Sequence, residues 1–144
     1  MATTFKWLAP EAIATYYTTE MNSITDGTFV AVGAELANET DLYQLIAFEL
    51  VLASLTPAAG GFVDIWINYQ MDGTNYADPA KPLQTSALLC ALGLDTAAAA
   101  QRIVSPACAI WPVDFKLQLR NKAGVTLASS GNTLKYRRFF DQAV

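Results

Sequence analysis

Asp114-Phe115-Lys116-Leu117-Gln118-Leu119-Arg120 is the stretch whose reading decides the fold class. Phe115, Leu117 and Leu119 alternate with Asp114, Lys116, Gln118 and Arg120, the period of two expected of a strand with one face buried. Upstream, Val63, Ile65, Ile67, Tyr69 and Met71 alternate with Asp64, Trp66, Asn68 and Gln70, and Ile46, Phe48, Leu50 and Leu52 form a third apolar face. Weaker strand patterns run over 4–8, 28–34, 86–94, 98–110 and 133–140.

The punctuation between these runs agrees. Asp26-Gly27, Ala59-Gly60-Gly61, Asp72-Gly73, Ala123-Gly124 and Ser130-Gly131-Asn132 are turn signals, because turns with positive φ favour Gly, Asn or Asp. Pro79 and Pro82 mark a loop, as does Pro112 before the strand at Asp114. Residues 18–24 predict one short helical turn. Over 88–100 the alanines favour helix, but Gly93 and Leu94-Asp95-Thr96 interrupt them, so two strands around a turn are expected. About eight strands with these spacings predict an all-β, two-sheet antiparallel sandwich, most simply a jelly roll, with residues 1–144 forming one domain.

The composition narrows function. The 144 residues are 53% hydrophobic and only 15% charged. No apolar run approaches the ~18 to 20 residues of a membrane helix. The N-terminus lacks a basic segment followed by an apolar one, so no signal peptide is expected. The apolar excess therefore suggests a surface covered by neighbouring subunits. The chain has no histidine, which removes His-based triads, most zinc sites and imidazole acid–base chemistry. Cys90 and Cys108 are the only cysteines and do not read as a disulfide framework; buried free thiols are the first reading and a single bridge the second.

Charge is partitioned along the chain. Residues 1–112 hold three basic and eleven acidic residues, a balance of −8; residues 113–140 hold six basic and one acidic, a balance of +5. Either the charges offset locally between paired strands, or Lys135, Arg137 and Arg138 form a docking strand for an acidic surface. Nucleic-acid binding is not expected of an acidic domain with one short basic strand.

Each candidate site has a plain structural alternative. Asp72-Gly73-Thr74-Asn75-Tyr76-Ala77-Asp78 offers oxygen ligands for Ca²⁺, yet it lacks the EF-hand spacing and reads first as a hairpin turn. Asn38-Glu39-Thr40-Asp41 is likewise an acidic loop first. No metal or cofactor is expected. Trp66 lies on the polar side of its strand and suits an interface, cover by a loop, or a sugar platform. Trp7 and Trp111 lie near strand ends and read as core or edge packing. Glu49 interrupts an apolar strand and is expected to be the one partly buried carboxylate, explained either by an outward-facing strand position or by a partner such as Arg102 or Arg120. No carboxylate pair or Ser–Lys pattern stands out for catalysis, so the chain reads as a binding and assembly protein, not an enzyme.

A family resemblance points the same way. Residues 50–55, Gly60-Gly61-Phe62-Val63-Asp64-Ile65-Trp66 and Met71-Asp72-Gly73-Thr74-Asn75-Tyr76-Ala77-Asp78 resemble small jelly-roll structural proteins of tailed-bacteriophage virions. So do Ala100-Gln101-Arg102, Phe115-Lys116-Leu117, Arg120-Asn121-Lys122-Ala123-Gly124, Ser130-Gly131-Asn132-Thr133-Leu134-Lys135-Tyr136, Thr3-Thr4-Phe5-Lys6-Trp7 and Glu20-Met21-Asn22-Ser23-Ile24. The resemblance implies a virion component, assembled in the host cytoplasm, with no catalytic residues. The expected role is a capsid decoration or cement protein that binds the major capsid protein or another virion protein. By analogy with such proteins the homo-oligomer that the apolar composition suggests is preferentially a trimer; the charge partition and the strand position of Trp66 make Trp66, Lys135, Arg137 and Arg138 the candidate interface residues. The alternatives are a receptor- or carbohydrate-binding module on the virion surface and a tail or neck subunit.

Overall fold

The structure, a computed structural model, describes the backbone of residues 5–7, 9–78 and 86–143, and the side chains over 9–78 and 86–140. The prediction at Pro79 and Pro82 lies outside the described residues. The described residues form ten strands: β1 (Phe5–Trp7), β2 (Ala14–Tyr17), β3 (Leu45–Leu55), β4 (Phe62–Tyr69), β5 (Ala87–Gly93), β6 (Ala99–Val104), β7 (Cys108–Ala109), β8 (Phe115–Lys122), β9 (Thr133–Phe139) and β10 (Asp141–Ala143). One 3₁₀ turn, Thr19–Met21, falls within the predicted helical segment. Among the described residues no helix is long and apolar enough to cross a membrane.

The first sheet has the order β2-β9-β3-β6, with β7 also pairing β3; the second has the order β5-β4-β8. Residues 28–36 run beside β8 as a fourth, irregular member. They bridge it at Phe29↔Arg120 and Leu36↔Phe115, and Val30 N and Gly33 N donate to the carbonyls of Leu119 and Leu117. The pairings are nested: β1 with β10, β2 with β9, 28–36 with β8, β3 with β6 and β7, and β4 with β5. A long ribbon rolled over itself in this way is a jelly roll, so the expected all-β sandwich is observed.

The inner faces of the sheets form one core. Ile46, Phe48, Leu50, Leu52, Leu134 and Tyr17 come from the first sheet, and Val63, Ile65, Ile67, Phe115, Leu117 and Leu119 from the second. Each of the fully buried side chains contributes roughly 1.5–3 kcal/mol relative to its exposure to water. The three alternating stretches thus bury the faces expected of them. Met71 does not, because it lies beyond the end of β4 and is 66% exposed.

One other expectation needs correction, and two features of the fold go beyond the sequence reading. The predicted strand at 98–110 is split into β6 and β7 at Ser105-Pro106. Pro106 has no N–H to donate, and the Ser105 hydroxyl accepts the Phe48 N–H at 2.8 Å in place of a ladder bond. The predicted pair within 88–100 is present, but β5 and β6 belong to different sheets, so the turn between them is a corner. Strand β2 was not predicted at all.

Tyrosines of β2 fix the irregular member. The Tyr16 hydroxyl accepts the Leu117 N–H at 2.8 Å and donates to the Ala34 carbonyl at 2.6 Å. The Tyr17 hydroxyl lies 2.7 Å from the Leu117 carbonyl and 2.8 Å from that of Ala31. Burial pushes both phenol pKa values up, which keeps the O–H groups protonated as donors. Gly33 makes room for this arrangement: a Cβ there would stand 2.3 Å from Tyr16 Cε1. Gly33→Ala is expected to lower the urea midpoint, with unchanged slope, by an amount equivalent to about 2 kcal/mol. Adding Tyr16→Ala should cost less than the sum of the single changes, because the clash is then already relieved.

Candidate functional site

The outer face of the first sheet combines a charged row with an apolar groove. Glu49 on β3 stands opposite Lys135 on β9, with Arg102 of β6 nearby. Arg102 Nε and Nη2 donate to Glu49 Oε2 at 2.9 and 2.6 Å, and Lys135 Nζ lies 3.4 Å from Glu49 Oε1. The Arg102 guanidinium, reinforced by Lys135 against the opposing effect of burial, holds the Glu49 carboxyl below its usual pKa. Glu49 therefore has the Arg102 partner expected from the sequence. Beside this row Ile13, Ala47, Val104, Phe139 and Arg137 border a shallow groove of about 210 Å³. Ile13 is 50% and Val104 66% exposed, and Arg137 Nε has no hydrogen-bond partner among the described residues.

Arg138 does not belong to that face. It is 5% exposed, since Leu134, Tyr136 and Arg138 share the inward parity of β9. Its Nε and Nη2 donate to Glu11 Oε2 and Oε1 at 2.8 and 2.7 Å. Nη2 also reaches Asp41 Oδ2 at 3.2 Å, Nη1 donates to the Ala37 carbonyl, and the guanidinium lies over the Tyr43 ring. The expected docking role is therefore corrected for Arg138, whose charge is used inside the domain. Strand parity was the sequence signal that could have identified this. Lys135 and Arg137 remain on the outer face.

The same end of the sandwich holds a buried polar connection. Asn38 is fully buried; its Nδ2 donates to the carbonyls of Tyr43 and Trp111 at 2.9 and 2.7 Å. Its own N–H donates to Asp114 Oδ1 at 2.6 Å. The segment Asn38-Glu39-Thr40-Asp41 thus ties neighbouring loops together and supplies Arg138 with a counter-charge.

Trp66 lies on the outer face of the second sheet, edge-on to Phe29, with the Arg120 guanidinium 5.4 Å from its ring centroid. That guanidinium forks onto Asp64, the residue directly opposite it in register. Asp64 is only 1% exposed, so Glu49 is not the one partly buried carboxylate; the sequence does not reveal register, which is what brings Arg120 to Asp64. A sugar would have to displace Arg120 from that side of the Trp66 ring. Trp111, expected in core or edge packing, is 56% exposed and stacks on Tyr69 at 4.8 Å with a 9° interplanar angle. The Trp7 side chain lies outside the described residues.

The Asp72 loop spends its carboxylate locally. Asp72 Oδ1 accepts the N–H groups of Thr74 and Asn75 at 2.9 and 2.6 Å, and Oδ2 accepts Asn75 Nδ2 at 2.9 Å. This is the hairpin-turn reading of the segment. Cys90 and Cys108 are free and half-buried. Among the described residues no three His, Cys, Asp or Glu side chains converge as a metal cluster. The sequence matches no protein-family profile and no curated protein.

Two measurements check this assignment of charges. Arg138→Glu should cost about 4 kcal/mol or more, because it places an anion against Glu11 and Asp41, whereas Arg137→Glu should change stability by less than about 1 kcal/mol in urea unfolding. Hydrogen bonds from the Asn75 and Thr74 groups depress the Asp72 pKa to about 2. A depressed folded-state value means that the turn is favoured at neutral pH and weakens as pH falls through about 2. The amide proton shifts of Thr74 and Asn75 should therefore titrate with a midpoint near 2, well below that of an unperturbed aspartate.

Proposed function

We propose that the chain is a structural component of a tailed-phage virion that decorates or cements the capsid, docking through the outer face of the β2-β9-β3-β6 sheet. The observation that carries this reading is the groove at Ile13, Ala47, Val104 and Phe139, which sets the exposed Ile13 and Val104 and the half-buried Ala47 and Phe139 beside Lys135 and Arg137. Such a surface suits a neighbour with an apolar ridge and an acidic rim, as the major capsid protein or a second copy of the chain would have to present. Apolar contact then supplies affinity, while the cations set orientation and salt dependence. The family resemblance and the jelly-roll fold support the same role, although a sandwich alone serves many functions. A contact of about 1,200–2,000 Å² repeated over a shell would give firm attachment through avidity. Catalysis has no part in this reading.

Sedimentation of the purified protein from micromolar concentration upward should reveal self-association, with a trimer as the expected end state. Val104→Asp combined with Ile13→Asp should shift the association constant by at least about tenfold while leaving the fold intact. In particles, hundreds of copies per virion are expected for a capsid component. A monomer at every concentration, together with a handful of copies, would count against capsid decoration. A second reading, a carbohydrate-binding module, is favoured specifically by Trp111, whose exposed ring is held flat by Tyr69. Saturation-transfer NMR with simple hexoses, lost on Trp111→Ala, distinguishes that reading.

A further inference from the structure

The two cysteines come from opposite layers of the sandwich and meet at one edge. Cys90 on β5 is directly opposite Ile65 on β4, and Cys108 on β7 is directly opposite Ile46 on β3. Both isoleucines are fully buried, so residues opposite them project into the space between the sheets, and both cysteines pack against the core. β5 is the edge strand of its sheet, and β7 pairs β3 on the side that carries the edge strand β6. The short connection from β5 to β6 places these two edges over one another: Leu94 N donates to the Gly61 carbonyl, and Asp95 exchanges hydrogen bonds with Gln101. Each thiol perturbs the ionisation of the other, which puts Cys90 and Cys108 within interaction range. Among the described residues no ladder hydrogen bonds join the two sheets.

We infer that Cys90 and Cys108 form a reversible covalent modification site, an inter-sheet disulfide made by exchange with small-molecule disulfides. Cys108 is the first nucleophile. It is the less deeply placed thiol; burial raises its pKa, but the hydrogen bond from Cys90 partly opposes that rise. Burial, with the contribution of Cys108, pushes Cys90 up to about 12. The Cys108 thiolate attacks one sulfur of oxidised glutathione, breaking its S–S bond. A mixed disulfide forms, and the departing glutathione takes up the proton that Cys108 lost. Cys90, losing its proton in turn, attacks Cys108 Sγ and releases the second glutathione as a thiol. Two protein thiols are thereby oxidised and one glutathione disulfide is reduced to two thiols, both protons ending on glutathione. The product closes a loop over residues 90–108 and staples the two sheets at their open edge.

The test is incubation of the full chain with oxidised glutathione, followed by intact-mass analysis and thermal melting. The expected product is a monomer about 2 Da lighter, lacking both titratable thiols, with its Tm raised by about 5–10 °C and restored by a dithiol reductant. The raised thiol pKa values predict slow exchange at pH 7 that accelerates about tenfold per pH unit toward pH 9. Cys90→Ser should halt at a single glutathione adduct on Cys108, and Cys108→Ser should react at least about tenfold more slowly. A wild-type protein that keeps both thiols, carries two glutathione adducts, or cross-links into dimers would overturn the pairing; this result does not depend on the variants folding. Equal rates for the two single variants would overturn the order of attack.

Discussion

β9 must enter between β2 and β3, and most of the molecule depends on that insertion. Tyr136 pairs with Ala14 on one side and with Phe48 on the other, so the first sheet has no centre until nearly the whole chain is present. Until then Phe48, Leu50 and Leu52 on β3 lack the cover that Leu134 and Tyr136 provide, and the Arg138 carboxylate partners lack their cation. Nested pairings of this kind close long loops before contacts reward them, which places the fold among slow, high-contact-order topologies. Among the described residues the pairing of β4 with β5 is the one sheet pairing between near neighbours in sequence, and the outer pairs are added around it.

The same nesting explains the charge partition. The basic C-terminal third lies against acidic strands from the first half: Lys135 opposite Glu49, Arg120 opposite Asp64, and Arg138 beside Glu11 and Asp41. Much of the sequence asymmetry is therefore satisfied within the domain. Asp64 and Arg120 form the most deeply buried of these pairs, on a sheet face that alternation alone would assign to solvent. Phe29 and Trp66 flank the guanidinium, so removing either aromatic ring would rehydrate a contact whose value depends on exclusion of water. Arg137 is left over from this balance, which is why it, and not Arg138, marks the outer face of the first sheet.

What the sequence made legible was whatever repeats locally. Alternation in β3, β4 and β8 and the five glycine turns needed no knowledge of partners, and one glycine in each turn (Gly27, Gly60, Gly73, Gly124 and Gly131) adopts positive φ. β2 was hidden because four residues, Ala14-Thr15-Tyr16-Tyr17, carry too short a pattern; their place is set by hydroxyl contacts with Leu117, a hundred residues away. The segment 28–36 follows β8 through scattered bonds, which blurs the alternation of a regular strand. For the candidate site, Glu49 with Arg102 was legible as an interruption of an apolar run seeking a cation. The Asp64–Arg120 pair and the exposed Trp111 were not, since register decides the first and the stacking of Tyr69 decides the second.

The nested ribbon also has a mechanical consequence. β1 pairs with β10 outermost and β2 with β9 next, so tension applied between the two chain ends would draw paired strands apart from one side. Hydrogen bonds loaded in that geometry fail one after another, like a zipper, instead of sharing the force as they do when strands are sheared along their length. The domain is accordingly soft when pulled by its ends and stiff when pressed on its faces, where load passes through the close-packed core. Under sustained force its lifetime is governed by how fast the outer pairs open, not by the equilibrium stability of the whole.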